Sequence, residues 1–195
     1  MWNDKLKGYK IILASGSPRR KQFFQDMGLD FEIRLKEVDE VYPKKLMGSE
    51  ISDFLAELKA SAILDTLTKN EILVTSDTVV WYNNKSFAKP ANKKEAIEML
   101  SELSNHWHEV ITSVSFSTIT SQKTVNHSTK VKFKELSEDE ILYYVEQYKP
   151  FDKAGGYGIQ EWIGLIGIEQ VQGSYTNVVG LPTQLVYENL MHMAS

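Results

Sequence analysis

The sequence predicts an α/β fold: a mixed, twisted sheet with flanking helices. Apolar β-type runs such as "KIILAS" and "EILVTSDTVVWY" alternate with stretches of helical spacing, the pattern of strands interleaved with helices. Two long alternating runs, "HEVITSVSFSTIT" and "TVNHSTKVKFKEL", are separated only by a turn-like "SQK", which calls for a long antiparallel hairpin. Helix starts are marked by their chemistry: Ser17 ahead of Pro18, Asn92 ahead of "KKEAIEMLSEL", and the capping box "SEDE" from Ser137 to Glu140. With 195 residues the chain can bury a large core, and it contains no repeat, low-complexity tract or linker, so a single domain over residues 1–195 is expected.

In order, "KIILAS" reads as a buried strand that enters a Gly/Ser turn and then a helix from Pro18 to about Met27, closed by Gly28. "FEIRLK" alternates and predicts a second strand, followed by the long acidic loop "KEVDEVYPKKLMG". Ile51, Phe54, Leu55, Leu58, Ala62 and Leu64 recur at near-helical spacing and predict an amphipathic helix from Ser49 to about Leu67. "EILVTSDTVVWY" predicts a core strand interrupted by the polar trio Thr75, Ser76 and Asp77, and "YNNKSFAKP" a turn with a short return strand. The helix capped by Asn92 has a left-handed end at Asn105, and Pro150 lies just past the helix that the capping box opens. The tail predicts a glycine-rich turn in "DKAGGYGIQ", strands in "WIGLIGIEQVQ", a turn near Gly173 and a last helix after Pro182.

Composition narrows the function classes. Hydrophobic residues make up 42% of the chain, yet no run approaches the roughly 20 apolar residues of a membrane span. "MWNDKLKGYK" lacks the apolar core of a secretion signal, and zero cysteines leave no disulfide, catalytic thiol or thiolate metal site; a cytoplasmic protein is expected. A net charge of −4 argues against a nucleic-acid partner, so any polyanion recognised here is small and locally held.

One stretch points to such an anion. In "ASGSPRRK" a helix begins at Pro18, and its first turn carries Arg19, Arg20 and Lys21 where the helix dipole disfavours cations by about 0.3–1 kcal/mol each. Hydroxyls at Ser15 and Ser17, close backbone approach at Gly16 and two arginines at a helix start suit a phosphate, although a surface strand-to-helix turn has the same appearance. It is not a P-loop, because the Gly-Lys-Ser/Thr ending is missing. Asp77 within "ILVTSDTVVW" needs a cation, a metal or donors around it. It is either a structural carboxylate bonded by Thr75, Ser76 and Thr78 or a general base or metal ligand. Asp39 and Glu40 form a second acidic cluster on a loop where solvation alone would account for them. Lys59 lies on a largely apolar helix and Lys89 before Pro90, and both would also be ordinary solvent-facing lysines. Gln160, after a glycine turn, could bring an amide to a ligand. His106, His108 and His127 lack the spacing of a zinc site.

Taken together these stretches are similar to the Maf family of nucleoside triphosphate pyrophosphatases. The resemblance runs almost end to end, through "LASGSPRR", "VDE", "LAELKA", "SDTVV", "AKP", "HEVITSV", "DKAGGYGIQ" and "GSYTNVVGLP". It implies an elongated Maf/ITPase-like fold and a cytoplasmic, often dimeric house-cleaning hydrolase. Such an enzyme uses a divalent cation, Mg²⁺ or Mn²⁺, to split a nucleoside triphosphate into monophosphate and pyrophosphate. It implies that Asp77 is the catalytic acid/base and that Glu40 and Asp77 lie at the metal. Ser15, Ser17, Arg19, Arg20, Lys59 and Lys89 would line the triphosphate site. Arg19, Thr78 and Gln160 match the specificity set of the dTTP/UTP branch. A non-catalytic nucleotide-binding regulator of cell division is the alternative. The chain departs from the family pattern at Ala88, Asn105, Trp107, Glu161 and Trp162, positions that border the expected base pocket and phosphate turn.

Overall fold

The computed structural model describes residues 2–194. Its strands and helices are β1 (Lys10–Leu13), α1 (Pro18–Asp26), β2 (Phe31–Ile33), α2 (Ser49–Ser61), β3 (Glu71–Tyr82), β4 (Lys85–Phe87), α3 (Lys93–Leu103), β5 (Trp107–Ser117), β6 (Gln122–Phe133), α4 (Glu138–Tyr148), α5 (Trp162–Gly167), β7 (Ile168–Gln172), α6 (Tyr175–Val179) and α7 (Thr183–Met193). The sheet is seven-stranded, in the order β2-β1-β3-β5-β6-β7 with β4 on β3. β1 runs parallel to β2 and β3, while β3 with β4 and β6 with β7 pair antiparallel, so the sheet is mixed as expected. β5 and β6 are joined by four residues, too few for a parallel crossover, and therefore form a hairpin. The turn spans residues 118–121, with Thr118 N–H donating to Ser121 O at 2.8 Å; it precedes most of the expected "SQK".

The chain divides into two compact units. Among the described residues the first comprises those up to 77, 112–127 and those from 180 on, the second residues 78–111 and 128–179.

In the first unit the period-two alternation of the strands sorts side chains to two faces. Ile11 and Leu13 of β1, Ile72 and Val74 of β3, and Val114 and Phe116 of β5 form one cluster with Phe24 of α1 and with Leu181, Val186 and Leu190 in and before α7. The intervening Ile12, Ala14 and Leu73 face Ala60 and Ile63, at the end of and just after α2. Both faces are covered, which is why β1 and β3 read as nearly continuous apolar runs. α1 is capped as expected, Ser17 Oγ accepting from Arg20 N–H at 3.4 Å, and Gly28 has φ 66° just past its end. α2 stops at Ser61 and only a 3₁₀ turn, Leu64–Thr66, continues toward Leu67, so the helix is shorter than its periodicity implied.

In the second unit Asn92 caps α3 by accepting from Glu95 N–H at 3.0 Å, and Ser137 and Glu140 form the reciprocal capping box of α4. Asn83 and Asn84 both have positive φ, the requirement of the tight β3–β4 hairpin. Asn105 takes the left-handed conformation with φ 58°. His108 is buried and bonded through Nε2 to the Tyr157 hydroxyl at 2.6 Å. One expectation is overturned. "WIGLIG" is helix α5, and only Ile168–Gln172 is strand. The run is apolar on every side and has no period to tell the two apart. Gly164 decides it, since a Cβ there would lie 1.8 Å from Ile159 O, so the chain can press one helical turn against that carbonyl. The short helix α6 lies within "GSYTNVVGLP", where the sequence predicts only a turn near Gly173.

Candidate active site

The loop between β1 and α1 is tied to the middle of β3 by Arg20. Its Nε donates to Gly180 O at 2.9 Å, and its Nη1 donates to Ser76 O at 2.9 Å and to Ser15 Oγ at 3.4 Å. Ser15 Oγ also accepts from Ser17 N–H at 3.2 Å. Burial lowers the Arg20 pKa to about 10, opposed by the negative charge of Asp77 and Glu40, so the guanidinium stays charged at neutral pH and faces those carboxylates. The arginine at the helix start thus has a job inside the fold, and its neighbour Arg19, about 100° around the helix and half-buried, is oriented separately.

Asp77 closes the polar trio midway along β3 and is itself buried. Its Oδ1 accepts from Lys59 Nζ at 2.5 Å, and the same ammonium lies 2.9 Å from Glu40 Oε1. Lys59 is in the last turn of α2, Glu40 in the loop after β2. α2 is held to β3 in the vicinity by Thr75 Oγ1, which donates to Ala56 O at 2.6 Å. The first unit therefore gathers Ser15, Ser17, Arg20, Lys59, Glu40 and Asp77, six residues spread over some sixty positions of sequence, around one alternation of positive and negative charge. The polar trio in β3 divides its tasks. Thr75 anchors the helix, the carbonyl of Ser76 receives Arg20, and Asp77 takes the lysine.

Thr78, Lys89 and Gln160 belong to the second unit. Thr78 directly follows Asp77 and is half-buried, Lys89 is exposed in the segment after β4, and Gln160 is exposed in the turn that precedes α5. Two polar clusters escaped sequence reasoning. In the first unit Asp53 accepts from Ser113 Oγ at 2.6 Å and from Asn126 Nδ2 at 3.0 and 3.1 Å. In the second, Lys153 Nζ pairs with Glu161 Oε1 at 3.0 Å and Asp152 Oδ1 at 2.7 Å, and the Tyr144 hydroxyl donates to Glu161. A lysine inside the glycine turn "DKAGGYGIQ" was the available signal for the latter.

A divalent cation is compatible with this donor set. Among the described residues no group of three or more His, Cys, Asp or Glu side chains could hold a metal. Two carboxylates already share one ammonium, and Mg²⁺ commonly uses only one or two carboxylates, completing its shell with water and substrate phosphates.

Residues 10–193 match the family described as Maf-like protein. A dTTP/UTP pyrophosphatase of Flavobacterium johnsoniae is 60% identical over 97% of this chain and 98% of its own length. Another so named from Flavobacterium psychrophilum is 57% identical over 98% of each. Among solved structures, the Staphylococcus aureus Ham1 protein superposes with a TM-score of 0.53 over 94% of this chain and 99% of its own, at 17% identity, a likeness of fold. The chain belongs to the Maf-like protein family.

Proposed function

We propose that the chain is a nucleoside triphosphate diphosphatase that hydrolyses dTTP and UTP to the monophosphate and pyrophosphate. The observation that carries this reading is the Lys59 ammonium held between Asp77 and Glu40, in the unit where Arg20 fastens the Ser15–Ser17 loop. Relatives named dTTP/UTP pyrophosphatase, 46–60% identical over nearly the whole chain, support the substrate class.

Asp77 orients the attacking water and takes its proton, the role of a positioned carboxylate base. Lys59 and Arg20 hold positive charge beside it, and Arg19 and Lys89 offset charge on the triphosphate, so catalysis is mostly positioning and electrostatics. Ser15 and Ser17 offer hydroxyls beside the start of α1. Mg²⁺ or Mn²⁺, held by Asp77 and Glu40, supplies neutralisation of phosphate oxygens and polarisation of water. Arg19, Thr78 and Gln160 read the pyrimidine. A cytoplasmic homodimer with no nucleic-acid or membrane partner is part of the same proposal. The net charge of −4 supports the exclusion of nucleic acid, and among the described residues no helix is long and apolar enough to cross a membrane.

The test is a panel of common and modified nucleoside triphosphates with Mg²⁺ or Mn²⁺, scored for pyrophosphate. Release from UTP and dTTP ahead of purine triphosphates is expected. Calorimetric binding of UTP without pyrophosphate release would instead mark a nucleotide-binding regulator.

A further inference from the structure

Gln160 is the third residue of a turn closed by Glu161 N–H donating to Gly158 O at 3.0 Å. Both ends of that turn meet one phenol. Gly158 N–H donates to the Tyr144 oxygen at 3.0 Å, and the Tyr144 hydroxyl donates to Glu161 Oε2. The other carboxylate oxygen, Oε1, pairs with Lys153 Nζ at 3.0 Å. Tyr144 is 0% exposed and stacks on Tyr148 at 5.1 Å, so the phenol is a fixed post on α4. Burial, reinforced by the Glu161 charge, pushes its pKa up and keeps the proton it donates.

The floor of the turn is Gly158. A Cβ there would lie 3.0 Å from Glu161 Cδ, 3.1 Å from Gln160 Nε2 and 3.1 Å from Lys153 Cε. The Gln160 amide, the Glu161 carboxylate and the Lys153 stem thus converge over one bare Cα. Glu161 is also the residue ahead of α5, but its side chain makes no cap bond to that helix, being turned to Tyr144 and Lys153. A half-buried carboxylate with both oxygens partnered is stiff, because leaving either partner strands a charge away from water.

We propose that Tyr144, Glu161 and Lys153 are positioning residues that hold the Gln160 turn in the conformation that reads the base. The inference rests on the assignment of Gln160 to base recognition made above. Tyr144 fixes both ends of the turn, Glu161 links the phenol to Lys153, and Lys153 closes the packing over Gly158. None of the three needs to touch the nucleotide. The Lys153 charge is answered by Glu161 and Asp152, and its side chain is buried whereas that of Lys89 is exposed.

The experiment compares the ratio of kcat/KM for UTP to that for CTP in the full chain and in Gln160→Ala, Tyr144→Phe, Glu161→Ala and Glu161→Gln, with melting temperature and hydrogen exchange of the Gly158 amide read alongside. Gln160→Ala is expected to lower the ratio at least fivefold. Tyr144→Phe and Glu161→Ala should lower it at least threefold, and the Gly158 amide should exchange at least tenfold faster in Tyr144→Phe. Glu161→Gln should keep more than half of the ratio, since an amide oxygen still accepts from Tyr144. A merely structural role would lower the melting temperature and leave the ratio at its original value. That result, with Gln160→Ala altered, overturns the proposal. If Gln160→Ala itself leaves the ratio unchanged, the base-reading assignment falls and the positioning role with it. Unchanged exchange in Tyr144→Phe refutes the phenol's hold on the turn in either case.

Discussion

In the first unit one ammonium, Lys59, is shared by two carboxylates, and one of these, Glu40, stands on a loop with its side chain 40% exposed. In the second unit Glu161 is shared by a lysine and a phenol, and both donors are buried, Lys153 to 8% and Tyr144 to 0% exposure. The first cluster draws its groups from two loops, two helices and a strand, and part of it is open to an incoming anion or cation. The second draws them from α4 and the glycine turn that follows, and its polar atoms are answered by one another. Charge that is partly open lends itself to chemistry. Charge that is enclosed and partnered serves to hold shape.

Removing the Asp77 carboxylate draws that contrast most sharply. Asp77→Asn should lower kcat for UTP by about 10²–10⁴-fold while the melting temperature stays within a few degrees; near-normal turnover in a pyrophosphate assay would sink the assigned role. Arg19→Glu reverses a charge in the open region, and KM for UTP should rise by about tenfold or more with stability intact. Its neighbour should behave differently. Arg20→Lys cannot reproduce the bonds to Ser76 and Gly180, so chemical denaturation should show a loss of roughly 1.5–3 kcal/mol.

A comparable loss is expected far from the chemistry. Glu71, at the start of β3, accepts from Arg34 at 2.8 and 3.1 Å and from Thr68 N–H at 2.9 Å. The Arg34 hydrogen bonds lower its pKa to about 2, from 4.5. The folded chain therefore keeps Glu71 ionised where the unfolded chain has protonated it, so this stability is complete above pH 4.5 and disappears as pH falls toward 2. Glu71→Gln should lower stability by roughly 1.5–3 kcal/mol at neutral pH and flatten that limb. In the second unit burial lowers the His108 pKa to about 3, from 6.5. Below pH 6.5 the unfolded chain takes up a proton that the folded chain refuses, so stability falls as pH drops from 6.5 toward 3. His108→Gln should reduce the slope of stability against pH in that window by up to about 1.4 kcal/mol per pH unit. An unchanged slope in urea titrations at pH 4.5–6.5 would remove His108 from the acid response.

Elements with local causes were legible in the sequence. Ser17 with Pro18, Asn92 and the Ser137–Glu140 box act within one helical turn, and each cap formed where its residues placed it. β3 was read end to end because its apolar run has abrupt polar borders. Failures occurred where local pattern is silent. "WIGLIG" carries no period, and its helix depends on how closely Gly164 approaches Ile159 O. Nothing local marks Tyr144, whose hydroxyl finds Glu161 seventeen positions later.

Family membership, the mixed sheet, the helix caps and the identity of the candidate residues were determined by the sequence alone, because propensity, periodicity and motif order act within short windows or sum over the whole chain. Tertiary structure alone decided that Lys59 bridges Asp77 and Glu40, that Arg20 binds carbonyls 56 and 160 positions away, and that Tyr144, Glu161 and Lys153 enclose the Gln160 turn. The physical reason is reach. A side-chain hydrogen bond is made or lost within about half an ångström, and only the packed strands and helices set positions that finely.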